Sequence, residues 1–181
     1  MRDDKIKMLT YSALLMGLAL ASTILIRIPV PATQGYVHLG DTVLILSVLI
    51  LGKKKGALAG ALGQAAADLL GGYAIFAPVT FISKLLMGLL IGIAAEKISE
   101  YRSKKNKGDA AAAGLMTVLS CAVMVSIYYI FECAIYGSFV IPIVEIPANI
   151  IQFTVSAVLA AAAGGVLAKT PARAWLNLEK K

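Results

Sequence analysis

Three apolar runs dominate the chain: Met8 to Ile28, Ala110 to Phe131 and Pro147 to Ala168. Each reaches the roughly 20 residues that an α-helix needs to cross a bilayer. A fourth, Phe76 to Ala95, is apolar except for Lys84 and carries Pro78 near its beginning, where a missing amide proton does little harm. Between the first and fourth runs lie two shorter apolar pieces on either side of Lys53, Lys54, Lys55 and Gly56, a pattern that predicts a tight helical hairpin. Each piece is shorter than a full span, so polar residues at its far end must be buried by protein. The pattern therefore predicts an all-α integral membrane protein, one domain over 1–181, with six transmembrane helices at about 8–28, 41–51, 56–70, 76–95, 110–131 and 147–168. The first run exceeds the apolar core of a signal peptide and no clear cleavage site follows it, so it reads as a retained helix. The longest polar loop is expected from Glu96 to Asp109, and the tail around Trp175 as a short interfacial helix.

Composition agrees with a membrane solvent: 59% of residues are hydrophobic and only 15% charged. The net charge of +7 would suit nucleic acid, but the positions of the cations decide otherwise. Of the 17 Lys and Arg, all but Arg27 and Lys84 fall before the first helix, in the lysine turn, between helices four and five, or after helix six. With six spans these segments share one side, which the positive-inside rule places in the cytoplasm together with both termini. No nucleic-acid partner is expected; the partner is the lipid bilayer of a cell membrane, crossed several times. Merging the two short helices into one span would bury three lysines at roughly 2.5 to 3.5 kcal/mol each.

Ionisable residues inside spans are costly and usually face a cavity or a partner. Counting about 1.5 Å per residue puts Asp68 and Lys84 at matching depth, roughly 18 Å from the cytoplasmic turns on neighbouring helices, so they are placed either to pair with each other or to contact a ligand. Asp41, Glu132, Asn149 and Gln152 fall in the outer half, beside Gln34, Tyr36 and His38 of the first outer loop and Tyr73 after Asp68. Together they sketch a pocket open to the outside, with loops as lids. Each also has a structural reading: Asp41 as a helix cap, Glu132 as a solvated surface acid, Asn149 as an interfacial residue, and Asp68–Lys84 as a helix lock. Small residues recur at helical spacing on helix one (Ala13, Gly17, Ala21), helix three (Ala57, Ala61, Ala65), helix four (Gly88, Gly92) and helix six (Ala157, Ala161, Gly165). On helices three, four and six they are expected to serve internal packing. The lone His38 is a poor metal site, Cys121 and Cys133 lie too far apart on one helix for a disulfide, and neither a metal nor a cofactor is expected. No GxxxxGK[ST], HExxH or GxSxG pattern occurs, so an enzyme is not expected.

The stretch Leu39 to Gly92, with Gly40-Asp41, the Gly-rich hairpin turn, Asp68 before Gly72-Tyr73, Pro78, and Lys84 with Gly88, resembles the central region of substrate-specific S components of energy-coupling factor (ECF) transporters, the group with riboflavin-type and vitamin B6 or hydroxymethylpyrimidine members. The resemblance implies a subunit that captures a small heterocyclic vitamin at its outer face. It further implies docking on a transmembrane coupling subunit driven by two ATPase subunits, and toppling in the membrane to release cargo. It maps a docking ridge onto Ala13, Gly17 and Ala21, with Gly17 where the pattern has Ala, and pocket contacts onto Gln34, Tyr36, His38, Lys84, Glu132, Asn149 and Gln152. Lys84 is then expected to hold an anionic or phenolic oxygen, and Tyr36 or Tyr73 to stack on a ring. Two other readings stay open: a self-sufficient ion-coupled transporter using Asp68 and Lys84, and a structural membrane subunit whose polar groups only set helix register.

Overall fold

A computed structural model describes residues 2–30 and 35–167. Gln34, the end of helix six at 168 and the tail around Trp175 lie outside these residues. The described residues form α1 (Arg2–Leu25), a two-strand antiparallel hairpin of β1 (Arg27–Pro29) and β2 (Tyr36–His38), α2 (Gly40–Leu51), α3 (Lys53–Leu70), α4 (Ala77–Lys104), α5 (Lys107–Tyr136), a 3-10 turn (Ile141–Val144) and α6 (Glu145–Leu167). The protein is thus helical, with one small departure from an all-α fold: the hairpin pairs Arg27 with His38 and Pro29 with Tyr36.

α1, α4, α5 and the segment Ile141–Leu167 are long and apolar enough to cross a membrane. α2 has only 12 residues, and α3 is built from Ala and Gly around Gln64 and Asp68. α3 manages without lipid-grade side chains because it packs against α1, α2 and α4 and meets protein along most of its length. Its buried Ala57, Ala61 and Ala65 and the glycines beside them let neighbouring backbones come close: Gly60 faces Leu44 of α2, and Gly88 of α4 faces Ala57. Helix six departs from the expected pattern, because Ala161 and Gly165 are exposed and only Ala157 packs against the core. That core includes Leu44, Val48, Met87, Ile91, Met124 and Phe153 of α2, α4, α5 and α6, with Ala57 of α3.

The polar loop expected from Glu96 to Asp109 is mostly helix. α4 continues to Lys104, where Lys105 takes a left-handed φ of 56°, and Asn106 caps α5 by accepting from the Gly108 amide at 3.0 Å. Lys97 and Glu100, one turn apart and 2.7 Å from each other, support the polar extension. Loss of hydropathy marks where lipid ends, not where the helix ends. The Gly52 and Lys105–Asn106 turns therefore lie at one end of the bundle, and the hairpin, the Gly71–Phe76 turn and the 3-10 turn at the other.

Candidate functional site

Beneath the hairpin end, Lys84 is completely buried, and its Nζ sits 2.8 Å from both carboxylate oxygens of Asp41. Of the two roles left open for Asp68 and Lys84, pairing with each other is not the one formed: Lys84 is on Asp41 and Asp68 accepts from Tyr36. Matching depth left the direction around each helix axis open, and α-helical side chains lean toward their helix N-terminus. On α4 that lean carries the ammonium toward the hairpin end, where Asp41 occupies the first turn of α2. Asp41 is therefore more than a helix cap: it is fully buried and also accepts from Gln152 Nε2 at 2.7 Å. Gln152 in turn accepts the His38 amide proton at 2.9 Å, tying β2 to α6. Met124 Sδ at 3.1 Å and the Tyr128 ring at 5.5 Å complete the lysine's surroundings.

His38 Nδ1 accepts from the Gly40 amide at 3.0 Å, which leaves Nε2 to carry the proton of the neutral ring. Burial pushes the imidazole down to about 3. An unfolded chain protonates this ring as pH falls past about 6.5, while the folded protein keeps it neutral. The stabilisation is thus fully present above about pH 6.5 and is lost progressively as pH falls toward 3. We expect the thermal-unfolding midpoint in detergent to drop between pH 7 and pH 4, and His38→Gln, which retains an acceptor for Gly40, to reduce that drop. Equal pH slopes in the two proteins would refute the assignment.

Asp68, in the last turn of α3, accepts instead from the Tyr36 hydroxyl of β2. Burial, and next the charge of Asp68, hold that phenol well above its usual range, so Tyr36 remains the donor. Arg27, one of the two cations outside the basic end, donates to the carbonyls of Ala67 (2.9 Å), which also accepts the Gly71 amide, and of Gly71 (3.3 Å), at the negative end of α3. Its guanidinium lies over the rings of Tyr36 and Tyr73, at 4.7 and 5.2 Å.

Beside these groups lies a cavity with only about 30 Å³ of free interior, so an aromatic ring enters only by parting its sides. Of the residues expected at the site, Tyr36, His38, Asp68, Tyr73, Glu132, Asn149 and Gln152 line it. Asp41 and Lys84 do not; they sit under its floor. Glu132 is not a solvated surface acid, being 2% exposed, and Asn149 is buried rather than interfacial. Phe76, Thr80, Tyr128 and Glu145 complete the wall and were missed by the sequence reading. A signal for them exists: Thr80 with Lys84, Tyr128 with Glu132, and Glu145 with Asn149 and Gln152 recur at helical spacing, one polar face per helix. On α1, Ala13 and Gly17 are exposed and Ala21 is half-buried, so the small-residue ridge faces away from the bundle.

A multi-pass helical membrane protein with a polar, aromatic-walled cavity at one end is the class that fold and site define. The model of the family described as "ECF-type riboflavin transporter, S component" matches residues 3–169. The chain belongs to that family, one of substrate-binding transporter components and not of enzymes. It is also 34% identical over 116 residues to a Pyrococcus woesei protein named "Uncharacterized protein in gap 3'region", covering 64% of this chain and 72% of that protein.

Proposed function

We propose that the protein is the substrate-capture subunit of an ATP-driven importer. In this reading it crosses the bacterial cell membrane six times with both termini in the cytoplasm. It binds a small heterocyclic vitamin, of riboflavin, B6 or pyrimidine type, in an outward-facing pocket, and hands it over by docking on a transmembrane coupling subunit powered by two ATPase subunits. The observation that carries the reading is the aromatic and polar cavity at the end remote from the lysine turn, with the core of Leu44, Val48, Met87 and Ile91 closing the bundle behind it. A subunit with a closed floor needs a partner to complete transport. The rival reading, an ion-coupled transporter built on an Asp68–Lys84 pair, loses its basis because Lys84 is held by Asp41. In this reading ligand contact falls to the residues of the wall, supported by Asp41 and Lys84 holding each other beneath it.

Docking is assigned to the exposed ridge of Ala13, Gly17 and Ala21. A Cβ on Gly17 would meet nothing within 4 Å, so Gly17→Leu leaves the fold intact while filling the close approach that a partner helix needs. Liposomes holding the full complex should take up vitamin on ATP addition, and liposomes holding this chain alone should not. Gly17→Leu should abolish uptake and co-purification of the coupling subunit with unchanged vitamin binding. Gradient-driven uptake by the chain alone would sink the proposal.

A further inference from the structure

The charge inside the cavity speaks to the kind of ligand. Asp68, Glu132 and Glu145 all line it, and among the described residues no Lys or Arg does. The two nearby cations are engaged: Lys84 holds Asp41 under the floor, and Arg27 holds the last carbonyls of α3. Asp68 is 3% exposed and Glu132 2% exposed, yet among the described residues Asp68 Oδ2 and Glu132 Oε2 have no hydrogen-bond partner. Buried acceptors left unmet are costly, and their natural complement is a donor brought in by the ligand. Around them stand Tyr36, Tyr73, Phe76 and Tyr128, whose ring faces attract positive charge, as the Arg27 guanidinium over Tyr36 and Tyr73 illustrates.

Building on the proposed capture of a vitamin, we infer that the cavity selects a nitrogen heterocycle that presents N–H donors or positive charge to Asp68 and Glu132, and that it rejects ligands carrying phosphate. The aromatic wall takes the ring face and the carboxylates take the ring edge. A phosphate would meet three acids with no basic side chain to offset them. Lys84, the expected anion holder, cannot serve without abandoning Asp41.

The test is calorimetric titration of the purified full-length protein in detergent with matched pairs: thiamine and thiamine phosphate, riboflavin and flavin mononucleotide, pyridoxamine and pyridoxamine phosphate. In any pair that binds, the phosphorylated member should bind at least about 100-fold more weakly. Glu132→Gln, which keeps shape and polarity, should weaken the unphosphorylated ligand about tenfold or more and narrow the gap. Asp68→Asn should act in the same direction and serves if Glu132→Gln misfolds. Equal or tighter binding of the phosphorylated member, or wild-type discrimination in both variants, overturns the inference and leaves vitamin capture standing. If no member of any pair binds, the capture reading itself falls and this inference falls with it.

Discussion

Replacing Lys84 with Met is expected to cost about 3–5 kcal/mol and leave little folded protein in detergent, because it strands the fully buried Asp41 carboxylate. Asp41 would keep only the Gln152 amide as a donor from a side chain. Methionine fills much of the lysine's volume, so the loss measures charge and not a cavity. The double variant Lys84→Met with Asp41→Asn removes both charges, and the amide still meets Gln152. It should recover most of the lost stability, giving a coupling energy of about 2 kcal/mol or more by double-mutant cycle. Thermal unfolding followed by size-exclusion fluorescence reads all four proteins. Additive single effects would mean that the pair contributes nothing as a pair. Because Asp41 also reaches Gln152 and through it the backbone of β2, Lys84→Met should loosen the hairpin and weaken ligand binding in whatever fraction remains folded.

The same pair shows what could be read from the chain and what could not. Long apolar runs identified the four spanning candidates, and the lysine cluster identified the α2–α3 hairpin, because hydropathy and charge are local properties; the turn itself was misplaced, since Lys53–Lys55 begin α3 and Gly52 alone makes the link. Depth was legible too, since rise per residue is fixed. Azimuth was not: Lys84 meets Asp41 and not Asp68 because α2 and α4 turn those faces toward each other, which only packing determines. The β1–β2 hairpin escaped notice since two strands of three residues carry no period that a pattern can reveal. Once formed, it places Tyr36 over the end of α3 and claims Asp68. Of the cavity wall, Asp68, Glu132, Asn149 and Gln152 were found as polar groups in apolar helices, and Tyr36, His38 and Tyr73 as loop residues beside them. Phe76 and Tyr128 were missed because an aromatic residue in a membrane helix is unremarkable until its neighbours are known.

Adding one methyl group at Gly56 should be as damaging as losing the buried lysine. A Cβ built there would stand 2.3 Å from the Ser47 carbonyl oxygen and 2.4 Å from Val48 Cα, both backbone atoms that cannot rotate aside. The link between α2 and α3 is the single residue Gly52, at a φ of 81° that glycine adopts readily, so the two helices cannot part near the turn without unwinding it. Overpacking commonly costs about 1–3 kcal/mol where side chains can yield. Here only backbone can yield, and Gly56→Ala is expected to lie at or above the top of that range. The comparison that gives this meaning is Gly17→Ala, the same chemical change on an equally helical glycine, where the new methyl meets nothing within 4 Å. Its unfolding midpoint should match wild type, which separates close approach from helix propensity as the cause. Should Gly56→Ala unfold at the wild-type temperature, the α2–α3 contact is looser than described, and the bundle behind the cavity floor must then be held by α4 and α6 instead.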